Sequence, residues 1–501
     1  MKKIAKLMSL VLVFVALTLS LAACGSPQEK PQQAAPSTGT SSSKVKDIGV
    51  VTISLDEWIG WQSLLDANGG LKTAPDSINA KNGIKVEYKV LNDATASSSA
   101  LIAGDLDAAG YTVNRYAFLQ DKFDAAGIKV VMPFITNFSN GGDGIIATSD
   151  IKSVNDLVGK HIGVPRYSEA QTLVEWLLNN SSLTYEEQTQ IRDDMVFFET
   201  ADDAAEAFFA GKVDAAATWE PYLTDAASST DSRVLFDTSM STNLILDGIV
   251  FKKDFVEENG EWIKLWISGA LDAASLYKHE FKNIRQMPMF ELMDEKDIID
   301  MANGADLATC AQNVKLLSDS AVQMYADMAE VWLTIGEKAY PEKAQDAFTD
   351  KFVRELVEKY PDEGNGNKVF SEDEKTKVME SPEALLSYKS DIKFDLNKAV
   401  IKDESKEELD NFVEVAKILD GVYIQIEGNA AIRADGVTDE EIVEFSRKRA
   451  QVVADYFVSK GIDPGRFIII GNGDMKYLDT ENPASPVNRR TEITFKPKAG
   501  F

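Results

Sequence analysis

Along the first two thirds of this chain, short continuous apolar runs alternate with stretches whose apolar positions recur every three or four residues. The runs read as strands covered on both faces, and the longer period reads as amphipathic helix. Strands are expected at Ile48–Ile53, Ile84–Leu91, Val130–Phe134, Gly144–Ala147, His161–Val164, Met195–Phe198 and Leu246–Phe251. Helices are expected between them, as at Gln171–Leu178 and Ala201–Phe209, and from Trp262 to Tyr360 the pattern is almost wholly helical. Such alternation predicts a parallel or mixed α/β sheet.

One phrase occurs twice in this region. Ala103-Gly104-Asp105-Leu106-Asp107-Ala108-Ala109 is repeated as Ala210-Gly211-Lys212-Val213-Asp214-Ala215-Ala216, an offset of 107 positions. Each copy follows a helical stretch, and its Gly falls where a helix end wants a residue tolerant of positive φ. A strand of small residues follows, then an expected polar and aromatic loop: Tyr111 to Asn114 in one copy, Thr218 to Tyr222 in the other. Two similar α/β lobes with loops at their strand ends predict a ligand cleft between them.

Pro361 to Asn367 is a turn-rich polar cluster that ends this pattern, and a charged stretch continues to about Ser381. A smaller unit then reads strand (Asp391–Asp395), helix (Lys406–Leu419), strand (Val422–Glu427), helix (Asp439–Lys460) and two strands (Arg466–Ile470, Thr491–Lys496). Ser405 with Glu408, and Thr438 with Glu441, have capping-box spacing for its two helices.

The amino terminus follows a different rule. Lys2, Lys3 and Lys6 precede an apolar core from Leu7 to Leu19 and the small-residue site Leu21-Ala22-Ala23-Cys24, the layout of an export signal too short for a comfortable membrane span. Gly25 to about Lys44, rich in Ser, Thr, Pro, Gln and Ala, reads as a flexible tether. The formal net charge of −28 argues for solubility and, with no Lys/Arg cluster, against nucleic-acid binding. His161 and His279 are the only histidines, which leaves no His-based triad or metal cluster. Cys310 reads as a small buried hydrophobe.

Leu21-Ala22-Ala23-Cys24-Gly25 resembles the lipobox of bacterial lipoproteins, which implies that Cys24 becomes the lipidated mature terminus. Leu157 to Pro165 resembles the "L-x-G-K-x-[IV]-G-V-P" stretch of periplasmic-type substrate-binding proteins, and Gly211 to Pro221 resembles their "G-x-V-D-A-A-x-x-W-x-P". Asp143 to Ala147, after Asn140-Gly141-Gly142, looks like their crossover into a second lobe. The resemblance is to the nitrate, sulfonate, taurine and bicarbonate receptors of ABC importers, a two-lobed type II fold. It implies lobe 1 at about 45–140 and 245–360, lobe 2 at about 141–244, a small-molecule solute, an importer permease as partner, and no cofactor. One branch of that fold makes the thiamine pyrimidine with a Cys-rich motif, yet no Cys lies between Gly25 and Thr309, so no catalytic residue is expected.

Open α/β sheets bind ligands beyond their strand C-termini. That places Trp58, Thr112, Asn114, Asp143, Tyr167, Ser168, Glu169, Trp219 and Glu220 on the expected cleft. The acids and tryptophans fit a cationic solute, whereas the helix start at Ser168 would suit an anion, and some bicarbonate-type relatives hold a metal between acidic loops. No metal ligands are assigned, and the solute reads as a small polar organic molecule, with the balance towards a cation.

In the small unit, Phe394-Asp395, Phe445 to Ala450, Gly461-Ile462, Gly471 to Asp474 and Asn488 to Ile493 together resemble the OmpA-like peptidoglycan-binding domain. Arg449 falls inside the apolar arc of Ile442, Phe445, Val453 and Phe457, so it needs an anion, either a protein carboxylate such as Glu427 or Asp435 or a ligand. The resemblance implies that Arg449 grips a stem-peptide carboxylate, with Asn429, Asp435, Asn488 and Arg489 beside it. Where the family reads Gly-His-Thr-Asp this chain reads Gly428-Asn429-Ala430-Ala431, so the Asp that would hold the stem amine is absent.

The expected plan is therefore signal peptide 1–23, lipid-anchored tether 24–44, substrate-binding domain 45–360, linker 361–386 and OmpA-like domain 387–501. As a function it implies an extracytoplasmic, membrane-anchored solute receptor tethered to peptidoglycan. The alternative is a structural or sensory envelope protein whose cleft no longer serves transport.

Overall fold

The computed structural model of the chain describes residues 46–361, 370–390, 392–395, 398–433 and 435–498. The signal segment, Cys24, the tether and most of the polar cluster after Pro361 lie outside them.

The first sheet runs in the order β12-β5-β11-β3-β1-β2, with β4 also paired to β11. Its strands are β1 (Val51–Leu55), β2 (Val86–Val90), β3 (Ala108–Thr112), β4 (Val130–Val131), β5 (Ile135–Ser139), β11 (Leu246–Lys252) and β12 (Ala305–Leu307). The second runs β10-β6-β9-β7-β8, from β6 (Asp143–Thr148), β7 (Ile162–Pro165), β8 (Met195–Phe198), β9 (Ala215–Trp219) and β10 (Ser232–Asp237). The two share one plan. The repeated phrase supplies the central strand of each, β3 and β9, with two parallel strands on one side and an antiparallel one on the other. Each antiparallel neighbour, β11 or β6, is the first strand after the chain has crossed from the other sheet. Gly104 and Gly211, at φ 87° and 66°, end the preceding helices as their position requires.

The crossovers, Ser139 to Asp143 and Asp237 to Leu246, are stitched together by one side chain. The Thr238 hydroxyl lies 2.7 Å from Ser139 Oγ and accepts from the Gly141 N–H at 2.8 Å. Beside it Gly142 faces Gly304 so closely that a Cβ on Gly142 would come within 2.5 Å of the Gly304 carbonyl oxygen. Buried Trp61, Trp262, Trp266 and Trp332 anchor the core of the larger lobe, each worth roughly 2–3 kcal/mol when fully buried.

The third sheet is β13-β16-β14-β15, from β13 (Leu386–Ser390), β14 (Tyr423–Gly428), β15 (Phe467–Gly471) and β16 (Thr491–Lys496). Helices Lys406–Ile418 and Asp439–Ser459 accompany it. This unit meets the larger one mainly at the second crossover. Asp420 accepts from the Thr242 hydroxyl at 2.7 Å, Ser241 Oγ donates to the Ile418 carbonyl at 2.7 Å, and Arg233 pairs with Glu383 at 2.9 Å. Elsewhere a crevice of about 2210 Å³ separates it from the larger lobe.

Several expectations need correction. Val130–Phe134 is not one strand, because Pro133 has no N–H to give a ladder and separates β4 from β5. The first strand begins at Val51, not Ile48, and β10, β12 and β13 were absent from the pattern reading. Of the strand expected at Asp391–Asp395, only a bridge from Phe394 to Ile401 is present, and Leu386–Ser390 takes its place in the sheet. Ser405 forms no capping box: its backbone is helical (φ −98°, ψ −3°), its hydroxyl accepts from Lys393 N, and Glu408 accepts from Ser390. Thr438 and Glu441 do form one. Part of the expected linker is a helix, Glu372–Glu380, whose one buried apolar residue, Val378, packs with Tyr423 and Ile468.

Arg466 is the most demanding residue of the small unit. It is 3 % exposed and donates to the carbonyls of Val422, Ala416 and Leu419, closing the end of the Lys406–Ile418 helix. Arg466→Ala leaves those acceptors without a donor, at roughly 1–3 kcal/mol for each that water does not reach. The variant should unfold at lower urea than wild type, with a loss of about 3 kcal/mol; a loss below about 1 kcal/mol would show that water replaces the guanidinium.

Candidate functional site

Strand ends from both lobes converge. From lobe 1, Asp56 follows β1, Thr112 ends β3, and Asp247 opens the antiparallel β11 in register with both Thr112 and Asn137. From lobe 2, Asp143 opens β6 opposite Trp219, and β7 leads through Tyr167 into the helix Glu169–Asn179. Two contacts cross the cleft in its interior. Arg115 grips Glu169 through Nε (2.6 Å) and Nη2 (3.2 Å), and Asn114 Nδ2 donates to Thr172 Oγ1 at 2.8 Å. At the mouth, Tyr167 adopts φ 56°, unusual for a residue with a Cβ. It is held there by its N–H donating to Gln171 and by its ring stacked on Phe118 of lobe 1, centroids 5.1 Å apart.

The electrostatics are lopsided, with Asp56, Asp143, Glu169 and Asp247 set against Arg115. Burial would raise Glu169, but the charge and hydrogen bonds of Arg115 outweigh it and hold the carboxyl below its usual value. Arg115 is correspondingly raised: burial opposes its charge, and Glu169, Asp56 and Asp247 more than offset that. The other three acids are pushed up by burial first and by their like-charged neighbours, Asp143 to about 7 and Asp247 well above the usual range.

In the small unit, the Arg449 guanidinium lies over the rings of Phe445 (4.5 Å) and Phe394 (4.9 Å) and donates to the Lys398 carbonyl. Burial and the nearby charge of Arg489 depress it. Glu427 is engaged elsewhere, by Lys476, Asn472 and Gln425, and Asp435 is exposed. Asn429 is buried and accepts from Asn472. Asn488 is fully occupied holding the Leu478–Pro483 loop, accepting from two N–H groups and donating to three carbonyls.

Residues 80–278 match the NMT1/THI5 like family, and residues 393–491 match the OmpA family. The chain carries an NMT1/THI5-like domain followed by an OmpA domain. A Brucella abortus protein named as a binding protein is 24% identical over 275 residues, 54% of this chain and 82% of its own length. Outer membrane protein A of Bordetella avium is 33% identical over 113 residues, 22% of this chain and 56% of its own. Among solved structures, the periplasmic aliphatic sulphonate binding protein SsuA of Escherichia coli aligns at 17% identity and a TM-score of 0.47, over 59% of this chain and 96% of its own. The periplasmic nitrate-binding protein NrtA of Synechocystis aligns at 11% and 0.47, over 63% and 90%.

Within the NMT1/THI5-like domain, Trp58, Thr112, Asn114, Asp143, Tyr167, Ser168 and Glu169 come together at the cleft. Trp58 donates from Nε1 to Asn137, while Thr112 and Ser168 cap the helices that follow them. The loop expected after Thr112 is thus a helix from its first residue. Trp219 pairs with Asp143 in the sheet and the Glu220 N–H donates to the Gly142 carbonyl, while their side chains are engaged within lobe 2: Trp219 Nε1 donates to Asp202, and Glu220 accepts from Thr224. Asp56, Arg115, Asn137 and Asp247 are cleft residues that pattern reading missed. Asp56 alone carried a signal, as the first polar residue after a strand.

The raised acids make stability depend on pH. An unfolded chain ionises its aspartates near 3.9, whereas the folded one keeps Asp143 protonated to about 7 and Asp66 and Asp327 to about 6, all through burial. Their contribution is full below about pH 4 and is lost as pH rises to about 7. Asp143 accounts for on the order of 2–4 kcal/mol of that loss. The unliganded protein should melt higher at pH 5 than at pH 8, and Asp143→Asn should shrink the difference; an unchanged difference would remove Asp143 as its source.

Proposed function

We propose that the chain is an extracytoplasmic solute receptor that closes two lobes over a small polar molecule and presents it to an ABC importer. In this reading a lipid on Cys24 tethers it to the membrane and the OmpA domain binds peptidoglycan; neither domain acts as an enzyme. The observation that carries the receptor reading is the polar contact between Arg115 and Glu169, in the first turns of helices that follow β3 and β7 in the two lobes, which two crossovers connect. Two such lobes close on a ligand with little internal change. The match to the NMT1/THI5 like family and the relative named as a binding protein support it.

A solute at 100 times its dissociation constant should add about 2.7 kcal/mol to stability. Screened by thermal shift against amines, amino acids, sulfonates and simple anions, the mature chain should respond to one class. Arg115→Ala, which removes the bridge between the lobes, should weaken that response at least tenfold. Equal responses in wild type and variant would displace the site from this cleft.

For the OmpA domain, Arg449 and Arg489 supply cationic charge, and no carboxylate pairs with Arg449 among the described residues. A stem-peptide carboxylate would complete the site, a charge-assisted bond of roughly 1.5–3 kcal/mol. Arg449→Ala should lower co-sedimentation with purified peptidoglycan about tenfold and leave the urea midpoint nearly unchanged. A wild-type chain that stays in the supernatant would end the wall-binding reading.

A further inference from the structure

We infer that the cleft of the NMT1/THI5-like domain takes a small organic cation rich in N–H donors, of the ammonium, guanidinium or amidinium class. The inference rests on the receptor reading above and sharpens it. Its first support is an orphaned acceptor. Asn114 is fully buried, and its Oδ1 has no hydrogen-bond partner. The orientation of that amide is fixed by its neighbour. Thr172 Oγ1 donates its proton to the Glu169 carbonyl at 2.8 Å, so it can only accept from Asn114 Nδ2, and Oδ1 is left as the free end. Because the Nδ2 end reaches across to lobe 2, the whole amide lies between the lobes. Buried acceptors without a donor are rare and point to a missing group.

The second support is the excess of acids over cations where the strand ends of the two lobes meet. Asp143 and Asp247, both buried, face the same cluster as Arg115 and Glu169 without a cation of their own among the described residues. Once ionised, these carboxyls only accept hydrogen bonds, as the Asn114 Oδ1 does, so a cation that displaces their protons supplies the donors the site lacks.

The third support is that the places an anion would use are filled. A sulfonate, nitrate or carboxylate would seek a guanidinium or a helix N-terminus. Arg115 already has both its edge nitrogens on Glu169. The helix beginning at Glu169 is capped by Ser168 and carries Glu169 itself in the first turn, and the helix beginning at Val113 is capped by Thr112. An anion drawn to Arg115 would share the guanidinium with Glu169 and sit among carboxylates. A bare metal ion is a poorer fit than an organic cation, because no three acidic, His or Cys side chains among the described residues converge on one point.

The test uses the full mature chain and named probes at matched ionic strength. Agmatine, putrescine and choline represent the cations, taurine, methanesulfonate and nitrate the anions and zwitterions, and inositol a neutral polyol. At least one N–H-bearing cation should raise the melting temperature by about 3 °C or more. Choline, with no N–H, should do less. Asp247→Asn and Asn114→Leu should each lower the affinity of that cation at least tenfold by calorimetry. Asp247→Asn is isosteric with the protonated acid and keeps the test readable if Asn114→Leu fails to fold. A shift from a sulfonate, nitrate or inositol with none from any cation overturns the cation class and leaves the receptor reading standing. No shift from any probe overturns both.

Discussion

A carboxylate in a drying cleft must find a proton, a donor or a counter-charge, and here one guanidinium faces four carboxylates. Arg115 settles only the nearest. Its bidentate grip keeps Glu169 ionised and joins lobe 1 to lobe 2 at the same time, so the strongest electrostatic contact of the cleft is also a bond between the lobes. Asp56, Asp143 and Asp247 are then left to repel one another in surroundings that penalise charge. Burial of unpaired charge is far more unfavourable than a pKa shift, so these carboxyls take up protons instead. Anything that brings positive charge between the lobes competes with protons for the same oxygens.

The backbone makes that convergence inevitable once its plan is set. Both sheets place a strand of small residues at the centre, two parallel strands on one side and an incoming antiparallel strand on the other. The incoming strand runs the opposite way, so its first residue lies level with the last residues of its neighbours. Asp247 meets Thr112 for this reason, and Asp143 meets Trp219. The two crossovers share the Thr238 hydroxyl, which keeps the hinge a single element. The OmpA domain holds that hinge through Asp420, and Glu383 in the segment before it pairs with Arg233 of lobe 2, while the crevice separates the small unit from much of lobe 1.

Where the sequence was readable, local chemistry and global fold agreed. The duplicated Ala-Gly-x-[Leu/Val]-Asp-Ala-Ala phrase marked both central strands, because only small side chains tolerate helices on both faces and Gly suits the αL helix end. Thr438 and Glu441 capped their helix as their spacing implied. What failed was information held by partners. Leu386–Ser390 shows no apolar run, and it becomes a strand only because β16 offers an edge along five residues. Ser405 had the right spacing but the wrong backbone. Arg115 lies one turn into a helix, where a charged residue ordinarily faces water, and nothing local tells that Glu169, far along the chain, will come within 2.6 Å. Asp247 was placed on a strand correctly, but a one-dimensional pattern does not say which end of an antiparallel strand is level with the cleft.

The two candidate sites of this chain have opposite sign, and that difference sets how each responds to its surroundings. The cleft is acidic, and its carboxylates can shed charge by taking protons within an ordinary pH range, Asp143 at about 7. The OmpA domain presents Arg449 sandwiched by two rings, with Arg489 near enough to depress it. Desolvation and a like charge lower a guanidinium from so high a starting point that it stays protonated at any pH a cell envelope meets. Acidification therefore discharges the cleft and leaves the cationic pocket as it was. A solute held by the cleft carboxylates would be released as the medium acidifies, while an anionic wall component held by Arg449 would stay bound.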